Sequence, residues 1–258
     1  MIPLKDQEYL RVRFARELSG AVRIDYFTQR RLPIFIPGRE DCAYCEDTQT
    51  LLKEIASLSE KITLNVHEFS EAANEAARLG VDKVPGTVIR GALNRPIRFF
   101  GFPIGHVLAA FVEEIVDASR GKVDLSADTT RQLRKLQQTV HLQVLVTPDC
   151  SNCPPMALLA YRLGLASAKI NADVIEISEF PRLIERYDIR AVPTIVIDGQ
   201  AALVGATDEA TLMARIVRVV QGKALPPGPV GPATPLEQPR QEGQPRQAAR
   251  TESGLFLP

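Results

Sequence analysis

The sequence predicts an α/β protein of two tandem domains, each a mixed central sheet flanked by helices, and a disordered, Pro-rich C-terminal tail. Three observations lead to this prediction. A Cys-x-x-Cys pair at Cys42 and Cys45 recurs 108 residues later at Cys150 and Cys153. In both copies a Val-Pro pair follows, with its proline 43 residues after the first cysteine. Beyond residue 224 lie eight of the nineteen prolines. The predicted domains are therefore residues 1–121, residues 122–223 and a tail at 224–258.

The first repeat reads as alternating helices and strands. Its opening helix is indicated by apolar residues at spacings of three and four, and it ends at Ser19-Gly20. Pro33 suits a strand start or edge, and Gly80 ends a short helix. The predicted helices are 5–18, from Cys42 to about residue 58, 71–79 and 106–118, and the predicted strands are 22–28, 32–36, 62–69, 87–89 and 97–100.

The second repeat follows the same order behind a leading helix. The predicted helices are 126–137, from Cys150 to about residue 166, 179–186 and 209–220, and the predicted strands are 141–146, 173–177, 194–197 and 201–204. Each Cys-x-x-Cys pair therefore falls at the first strand-to-helix turn of its domain. Two parallel strands joined through a helix predict a right-handed crossover.

Two cysteines at this spacing in the first turn of a helix are typical of thiol–disulfide exchange. The free N–H groups and the dipole of the helix N-terminus favour a thiolate on the first cysteine. The thiolate attacks a disulfide, and the second cysteine resolves the mixed disulfide. Cys42 and Cys150 are thus the predicted nucleophiles, and Cys45 and Cys153 the predicted resolving thiols.

A proline at the start of an apolar strand needs a special purpose, because it removes a ladder donor. We expect cis bonds at Val84-Pro85 and Val192-Pro193, each placing a tight turn against its cysteine pair. The residue before each proline is then positioned to present its backbone to an extended substrate chain, as an added strand.

The two sites differ in charge. Glu46 and Asp47 follow Cys45, whereas Pro154, Pro155 and Met156 follow Cys153. Carboxylates oppose the local positive potential, so the second nucleophile is predicted to have the lower thiol pKa and the second pair to be the stronger oxidant.

Other interpretations of the four cysteines stay open. Zinc ribbons separate their pairs by about 15–20 residues, whereas 104 residues separate these two pairs, and the repeat places them in different domains. One pair is alternatively a structural disulfide. No metal or cofactor site is predicted: the three histidines lack ligand spacing, and glycine-rich nucleotide loops are absent.

Glu68 and Glu176 occupy matching positions in the two repeats. They are candidates for partly buried carboxylates that relay protons to the resolving thiols. The alternative is a pair of exposed acids at strand ends.

Composition excludes several partner classes. Lys plus Arg and Asp plus Glu both total 31, so no net charge steers the chain to nucleic acid or an anionic membrane. No apolar run reaches the ~20 residues that span a bilayer. The N-terminus lacks a secretory pattern, and the cysteines are confined to two clusters, so a cytoplasmic location is predicted.

The chain resembles the two-domain protein disulfide oxidoreductases of thermophilic archaea and bacteria, which consist of tandem thioredoxin-fold, glutaredoxin-like units. The resemblance covers about residues 5–222. It is carried by five segments: Cys42-Ala-Tyr-Cys45, Arg98-Phe-Phe-Gly-Phe-Pro-Ile-Gly-His106, Asp117-Ala-Ser-Arg120, Val146-Thr-Pro-Asp-Cys-Ser-Asn-Cys-Pro154 and Arg190-Ala-Val-Pro193.

The resemblance implies reduction, oxidation and isomerisation of protein disulfides, with a flavin-dependent thioredoxin reductase as electron donor. A related arrangement opens the flavoprotein that reduces alkyl hydroperoxide peroxidase, where the first cysteine pair is lost. This chain departs from the family in three places. Ala43 and Ser151 stand where many members of the wider superfamily carry proline or a polar residue. Residues 22–29 resemble an extra strand ahead of the first site, and the Pro-rich tail has no counterpart in the family.

Three functions follow as hypotheses. The leading one is a general cytoplasmic thiol–disulfide oxidoreductase with two sites, active in cell redox homeostasis. The second is a dedicated electron carrier between a flavoprotein reductase and a peroxiredoxin. The third is a binding scaffold whose cysteines are incidental.

Overall fold

The computed structural model describes residues 2–30, 41–225 and 231–236. In the first repeat the elements are α1 (Leu4–Glu17), β1 (Val22–Thr28), α2 (Cys45–Ser57), β2 (Ile62–Glu68), α3 (Ala73–Leu79), β3 (Gly86–Arg90), β4 (Ile97–Phe100) and α4 (Val107–Arg120). In the second they are α5 (Ala127–Lys135), β5 (Val140–Val146), α6 (Cys153–Ala166), β6 (Ile170–Glu176), α7 (Pro181–Tyr187), β7 (Ala191–Val192), β8 (Thr194–Ile197), β9 (Gln200–Val204), α8 (Glu209–Val220) and β10 (Thr234–Pro235).

The two repeats build one continuous eight-stranded sheet, in the order β2-β1-β3-β4-β6-β5-β8-β9. Within each repeat one pair is parallel and the other pairs are antiparallel. The halves join through parallel pairing of β4 with β6, which sets Arg98 opposite Asp173. The predicted mixed α/β fold is confirmed, and the predicted boundary at residues 121 and 122 falls between α4 and α5.

Strand β1 is not the extra strand that the sequence predicts. It pairs in parallel with β2 and antiparallel with β3, as β5 pairs with β6 and β8, so it is the counterpart of β5. The error arose because Cys42 comes 14 positions after Thr28, whereas Cys150 comes only 4 positions after Val146. The constant repeat offset therefore fails ahead of the cysteines. The strand predicted at 32–36 lies outside the described residues.

Helices α4 and α6 pack together where the two repeats meet. A Cβ on Gly164 of α6 would lie 2.6 Å from Cδ1 of Ile97 on β4 and 3.0 Å from Cβ of Ala172 on β6. The missing side chain thus lets one helix cover strands from both repeats at close range. This packing joins the helices that cover the sheet in the two repeats.

The interface between these helices contains a buried acid. Glu114 is fully buried, and neither carboxylate oxygen has a hydrogen-bond partner among the described residues. Burial raises its pKa well above the ordinary value, and the charge of Asp117 raises it further, against the opposing effect of Arg162. A protonated carboxyl is the form that burial favours here.

Part of the predicted disordered tail forms a strand. Residues 231–236 include β10, which pairs antiparallel with β7. Leu236 packs against the core, and the N–H of Leu236 donates to the carbonyl oxygen of Arg190 at 2.9 Å. The composition of the tail did not predict this strand, because a few backbone hydrogen bonds to an exposed strand edge can form without a long apolar run. The rest of the tail beyond residue 225 lies outside the described residues.

Along the described ranges, no helix combines the length and apolar character that crossing a lipid bilayer requires.

Candidate active site

The first cysteine pair lies at the start of α2. Cys42 and Cys45 form a disulfide with their Cα atoms 5.5 Å apart. Cys45 is buried, whereas Cys42 is half-buried. The exposure order fits an attacking cysteine and an inward resolving one, as the sequence predicts.

Residues from β1 and the segment after it hold Cys45 in place. The hydroxyl of Tyr26 donates to the carbonyl oxygen of Cys45 at 2.7 Å, and the N–H of Gln29 donates to its Sγ at 3.4 Å. Burial raises the pKa of Tyr26, so the phenol stays a donor. Sequence reasoning missed Tyr26; its signal was a tyrosine in a largely apolar strand next to the site.

The second pair lies at the start of α6 and is more deeply buried. Cys150 and Cys153 form a disulfide with their Cα atoms 5.4 Å apart, and both are fully buried. The Sγ atom of Cys150 lies 3.7 Å from the carbonyl oxygen of Val192. The backbone that precedes Pro193 therefore lies directly against the predicted nucleophile.

Both predicted X–Pro bonds, Val84-Pro85 and Val192-Pro193, are cis. The two turns share a further bond that the sequence analysis missed. The carbonyl oxygen of Pro85 accepts from the N–H of Gly101 at 2.9 Å, and that of Pro193 accepts from Gly205 at 2.8 Å. These glycines have φ of 100° and 96°, a conformation that side chains disfavour. The recurrence of a glycine after each β-hairpin was the available signal.

The structure places acidic side chains beside the first site and none in the matching turn of the second, as the sequence predicts. The first turn of α2 contains the exposed acids Glu46 and Asp47, whereas that of α6 has no acid and carries proline. Carboxylates near a helix N-terminus oppose a thiolate there, so the predicted order of thiol pKa values remains our expectation.

The first repeat also contacts the approach to the second site. The N–H of His106 donates to the carbonyl oxygen of Pro148 at 2.9 Å. Gly105 has φ of 62°, and a Cβ there would lie 2.4 Å from the same oxygen. Because Pro148 is two residues ahead of Cys150, this contact fixes the loop that leads into the second disulfide.

A small cavity of about 80 Å³ lies between the two sites. Tyr44, from inside the first Cys-x-x-Cys motif, stacks on Phe102 with ring centroids 5.9 Å apart. The N–H of Phe102 donates to Oε1 of Glu179 at 2.7 Å. The cavity is lined by Tyr44, Phe102, Ile104, Pro148, Glu176, Ser178 and Glu179.

The matching acids Glu68 and Glu176 have different surroundings. Glu68 is half-buried and accepts from the N–H of Arg30 at 3.0 Å. Glu176 is buried, lines the cavity and accepts from the N–H of Ser178 at 3.2 Å. Each acid thus accepts from a backbone N–H group, and the proton-relay role stays a prediction.

Across the described residues, no three His, Cys, Asp or Glu side chains cluster closely enough to hold a metal ion. The four cysteine sulfurs are instead joined in two disulfides.

Comparison with known proteins points to one fold. Residues 140–218 match the model of a family described as a thioredoxin domain. An NADH dehydrogenase from Ferdinandcohnia aciditolerans is 23% identical over 172 residues, covering 66% of this chain and 31% of that protein. A component of alkyl hydroperoxide reductase from Pseudomonas putida is 26% identical over 170 residues, covering 64% of this chain and 30% of that protein.

A solved structure matches over more of its length. The crystal structure of a protein disulfide oxidoreductase from Aeropyrum pernix aligns with a TM-score of 0.75 at 25% identity, covering 86% of this chain and 94% of that chain. This chain spans about a third of the length of the curated relatives it matches. The predicted resemblance is confirmed, and the thioredoxin-like fold with two Cys-x-x-Cys disulfides supports an oxidoreductase.

Proposed function

We propose that this protein is a thiol–disulfide oxidoreductase that acts on protein disulfides at two Cys-x-x-Cys sites. The observation that carries the proposal is that each motif forms a disulfide at the N-terminus of a helix, within a domain that also holds a cis Val-Pro bond. At the second site the distance is explicit: Sγ of Cys150 lies 3.7 Å from the carbonyl oxygen of Val192.

The reaction at either site transfers two electrons. In the reduced protein, the thiolate of Cys42 or Cys150 attacks a substrate disulfide, forms a mixed disulfide and releases one substrate thiolate. The thiolate of Cys45 or Cys153 then attacks the mixed disulfide. The second substrate thiolate leaves, takes up a proton, and the protein keeps the disulfide; the reverse sequence oxidises a dithiol.

The backbone at the two cis Val-Pro bonds supplies the substrate edge. We assign Val84 and Val192, with Pro85 and Pro193, to holding an extended substrate segment as an added strand. This geometry brings the substrate disulfide to the sulfur of the first cysteine.

Glu68 and Glu176 are assigned to moving protons to and from the resolving thiols. Glu68→Gln and Glu176→Gln are expected to slow resolution of the mixed disulfide. The effect should be smaller at high pH, where the resolving thiol is already a thiolate, than at low pH. An equal effect at every pH contradicts the assignment.

The electron donor assigned to this chain is a flavin-dependent thioredoxin reductase in the cytoplasm, in a role in cell redox homeostasis. Support comes from the resemblance and from the confinement of all four cysteines to the two motifs.

The test is dithiothreitol-driven reduction of insulin by the full chain, Cys42→Ser, Cys150→Ser and the double variant. The double variant is expected to lose turnover completely, because no nucleophile remains. Equal residual activity of the single variants would mean independent sites. Turnover by the double variant equal to that of the full chain would overturn the proposal and favour the scaffold hypothesis.

A second candidate function is electron transfer from a flavoprotein reductase to a peroxiredoxin. It is favoured by the match to the alkyl hydroperoxide reductase component over 64% of this chain. Peroxide consumption in a mixture of NADPH, a flavoprotein reductase and a peroxiredoxin would support this function if the rate exceeds insulin reduction at least about tenfold, a difference of ~1.4 kcal/mol in barrier. Comparable rates on both substrates would favour the general oxidoreductase.

A further inference from the structure

Residues 231–236 of the C-terminal tail lie along the second active site; we call them the tail strand. Thr234 is opposite Val192 in an antiparallel pair, and Pro235 is opposite Ala191. Beyond this pairing, the N–H of Leu236 donates to the carbonyl oxygen of Arg190 at 2.9 Å. The tail strand therefore occupies the edge of β7, immediately ahead of Pro193.

The other end of the tail strand is fitted to the segment after β9. The N–H of Ala206 donates to the carbonyl oxygen of Pro232 at 2.9 Å. A Cβ on Gly231 would lie only 1.9 Å from the carbonyl oxygen of Ala206, and a Cβ on Gly205 only 2.2 Å from the carbonyl oxygen of Gly231. Two glycines on opposite segments thus allow a backbone contact that any side chain at residue 231 would block.

The composition of the tail strand suits this edge. Pro232 and Pro235 restrict the free segment to extended conformations, which lowers the entropy lost on docking. Leu236 packs against the core. The segment thereby combines a pre-extended backbone, a glycine at the tight contact and one apolar anchor.

The tail strand is placed where a substrate would bind. The carbonyl oxygen of Val192, 3.7 Å from Sγ of Cys150, belongs to the residue that Thr234 faces. An extended substrate at this site would pair with the same residue. Cys150 is fully buried, whereas Cys42 is half-buried.

We propose that the tail strand is an intramolecular substrate mimic that closes the second active site, so that a protein substrate must displace residues 231–236 to reach Cys150. This inference rests on the function proposed above for the second site. A tethered segment competes at an effective concentration of about millimolar, so only substrates that form a better strand on β7 displace it. The tail is thus a specificity filter for the second site and leaves the first site unaffected.

The test measures access to the thiols and needs no substrate. The full chain, a truncation after Leu225, a truncation after Leu236 and Gly231→Val are reduced and exposed briefly to N-ethylmaleimide. Labelling of Cys150 and Cys42 is then quantified by mass spectrometry of peptides. The truncation after Leu236 is the matched control, because it removes the end of the tail and keeps the tail strand.

Removing or undocking the tail strand is expected to raise the labelling rate of Cys150 about tenfold. This is the increase expected if the second site is open in about one molecule of ten in the full chain and in every molecule without the tail strand. The rate at Cys42 is expected to stay within about twofold, and the truncation after Leu236 is expected to behave like the full chain. An unchanged rate at Cys150 in both the truncation after Leu225 and Gly231→Val would overturn the proposal.

A peptide of residues 228–240 provides an independent arm. Added to the truncation after Leu225, it is expected to restore protection of Cys150, whereas the same peptide with valine in place of glycine at position 231 is not. Equal effects of the two peptides would overturn the proposed docking. Because labelling is independent of insulin reduction, failure of the tail proposal and failure of the proposed function give different results.

Discussion

The strongest stability prediction concerns the ion pair that joins the two repeats. Arg98 on β4 donates from Nε to Oδ1 of Asp173 on β6 at 2.5 Å, and the two side chains are 6% and 4% exposed. The other carboxylate oxygen of Asp173 lies 2.5 Å from Nε2 of His141. Arg98→Met leaves a buried carboxylate with one partner instead of two.

The expected loss follows from that geometry. Removing one member of a buried pair destabilises by about 3–5 kcal/mol, because the remaining charge is uncompensated. His141 retains one bond to the carboxylate, so we expect the lower end, about 3 kcal/mol for Arg98→Met. Asp173→Asn leaves the guanidinium bonded to the carbonyl oxygen of Leu79 at 3.3 Å and is expected to cost about 2–3 kcal/mol.

The double variant separates charge pairing from packing. Arg98→Met with Asp173→Asn has no unpaired charge and is expected to lose only about 1–2 kcal/mol, which gives a coupling energy of about 3–5 kcal/mol. Urea unfolding of all four proteins measures these values. The exposed pair Arg131–Asp128, at 2.9 Å, is the control, and Arg131→Met is expected to change stability by less than about 0.5 kcal/mol. A loss below about 1 kcal/mol for Arg98→Met, or strictly additive effects of the two substitutions, would show that the buried charges are not coupled.

Three further predictions concern charge and backbone fit. The double substitution Glu46→Gln with Asp47→Asn is expected to lower the thiol pKa of Cys42 by roughly 0.5–1 unit, because exposed first-turn charges interact with a helix terminus by about 0.3–1 kcal/mol each. The rate of alkylation as a function of pH measures this pKa, and an unchanged or higher value contradicts the prediction. Burial raises the folded-state pKa of Glu114, so stability is fully present below its unfolded pKa and falls as pH rises toward the raised value, by at most about 1.4 kcal/mol per pH unit. In Glu114→Gln this fall in stability with rising pH is expected to disappear from Tm values measured at increasing pH, and an unaltered pH dependence would exclude this acid as its source. Gly105→Ala is expected to lower the free energy of unfolding by about 2–4 kcal/mol, since its φ is positive and a carbonyl oxygen would lie 2.4 Å from the new Cβ. Gly199→Ala is the control: with φ of 78° and open space around it, it should cost only about 1 kcal/mol in the same urea titration. Equal losses in the two variants would contradict the steric argument.

Sequence patterns were sufficient for features that depend on local chemistry and repetition. A Cys-x-x-Cys pair ahead of a helix recurs together with a Val-Pro pair at the start of an apolar strand, and this pattern predicted two repeated domains and the cis bonds at Pro85 and Pro193. The thioredoxin-like fold was predicted from the resemblance of five segments to a known family. The same spacing failed for β1, because an insertion ahead of Cys42 breaks the constant offset on which the comparison depended.

From the residues alone came the prediction of two cysteine pairs with disulfide-exchange chemistry, of repeated α/β units, and of carboxylates that follow only the first pair. These follow from residue type and from short-range spacing, which the chain cannot alter on folding. The sequence did not predict that β4 pairs with β6 to make one sheet, that Arg98 contacts Asp173, or that Gly231 and Gly205 allow the tail to pack onto β7. Such contacts join residues 26–75 positions apart, and their free energy depends on burial and steric fit that exist only after the two repeats have packed.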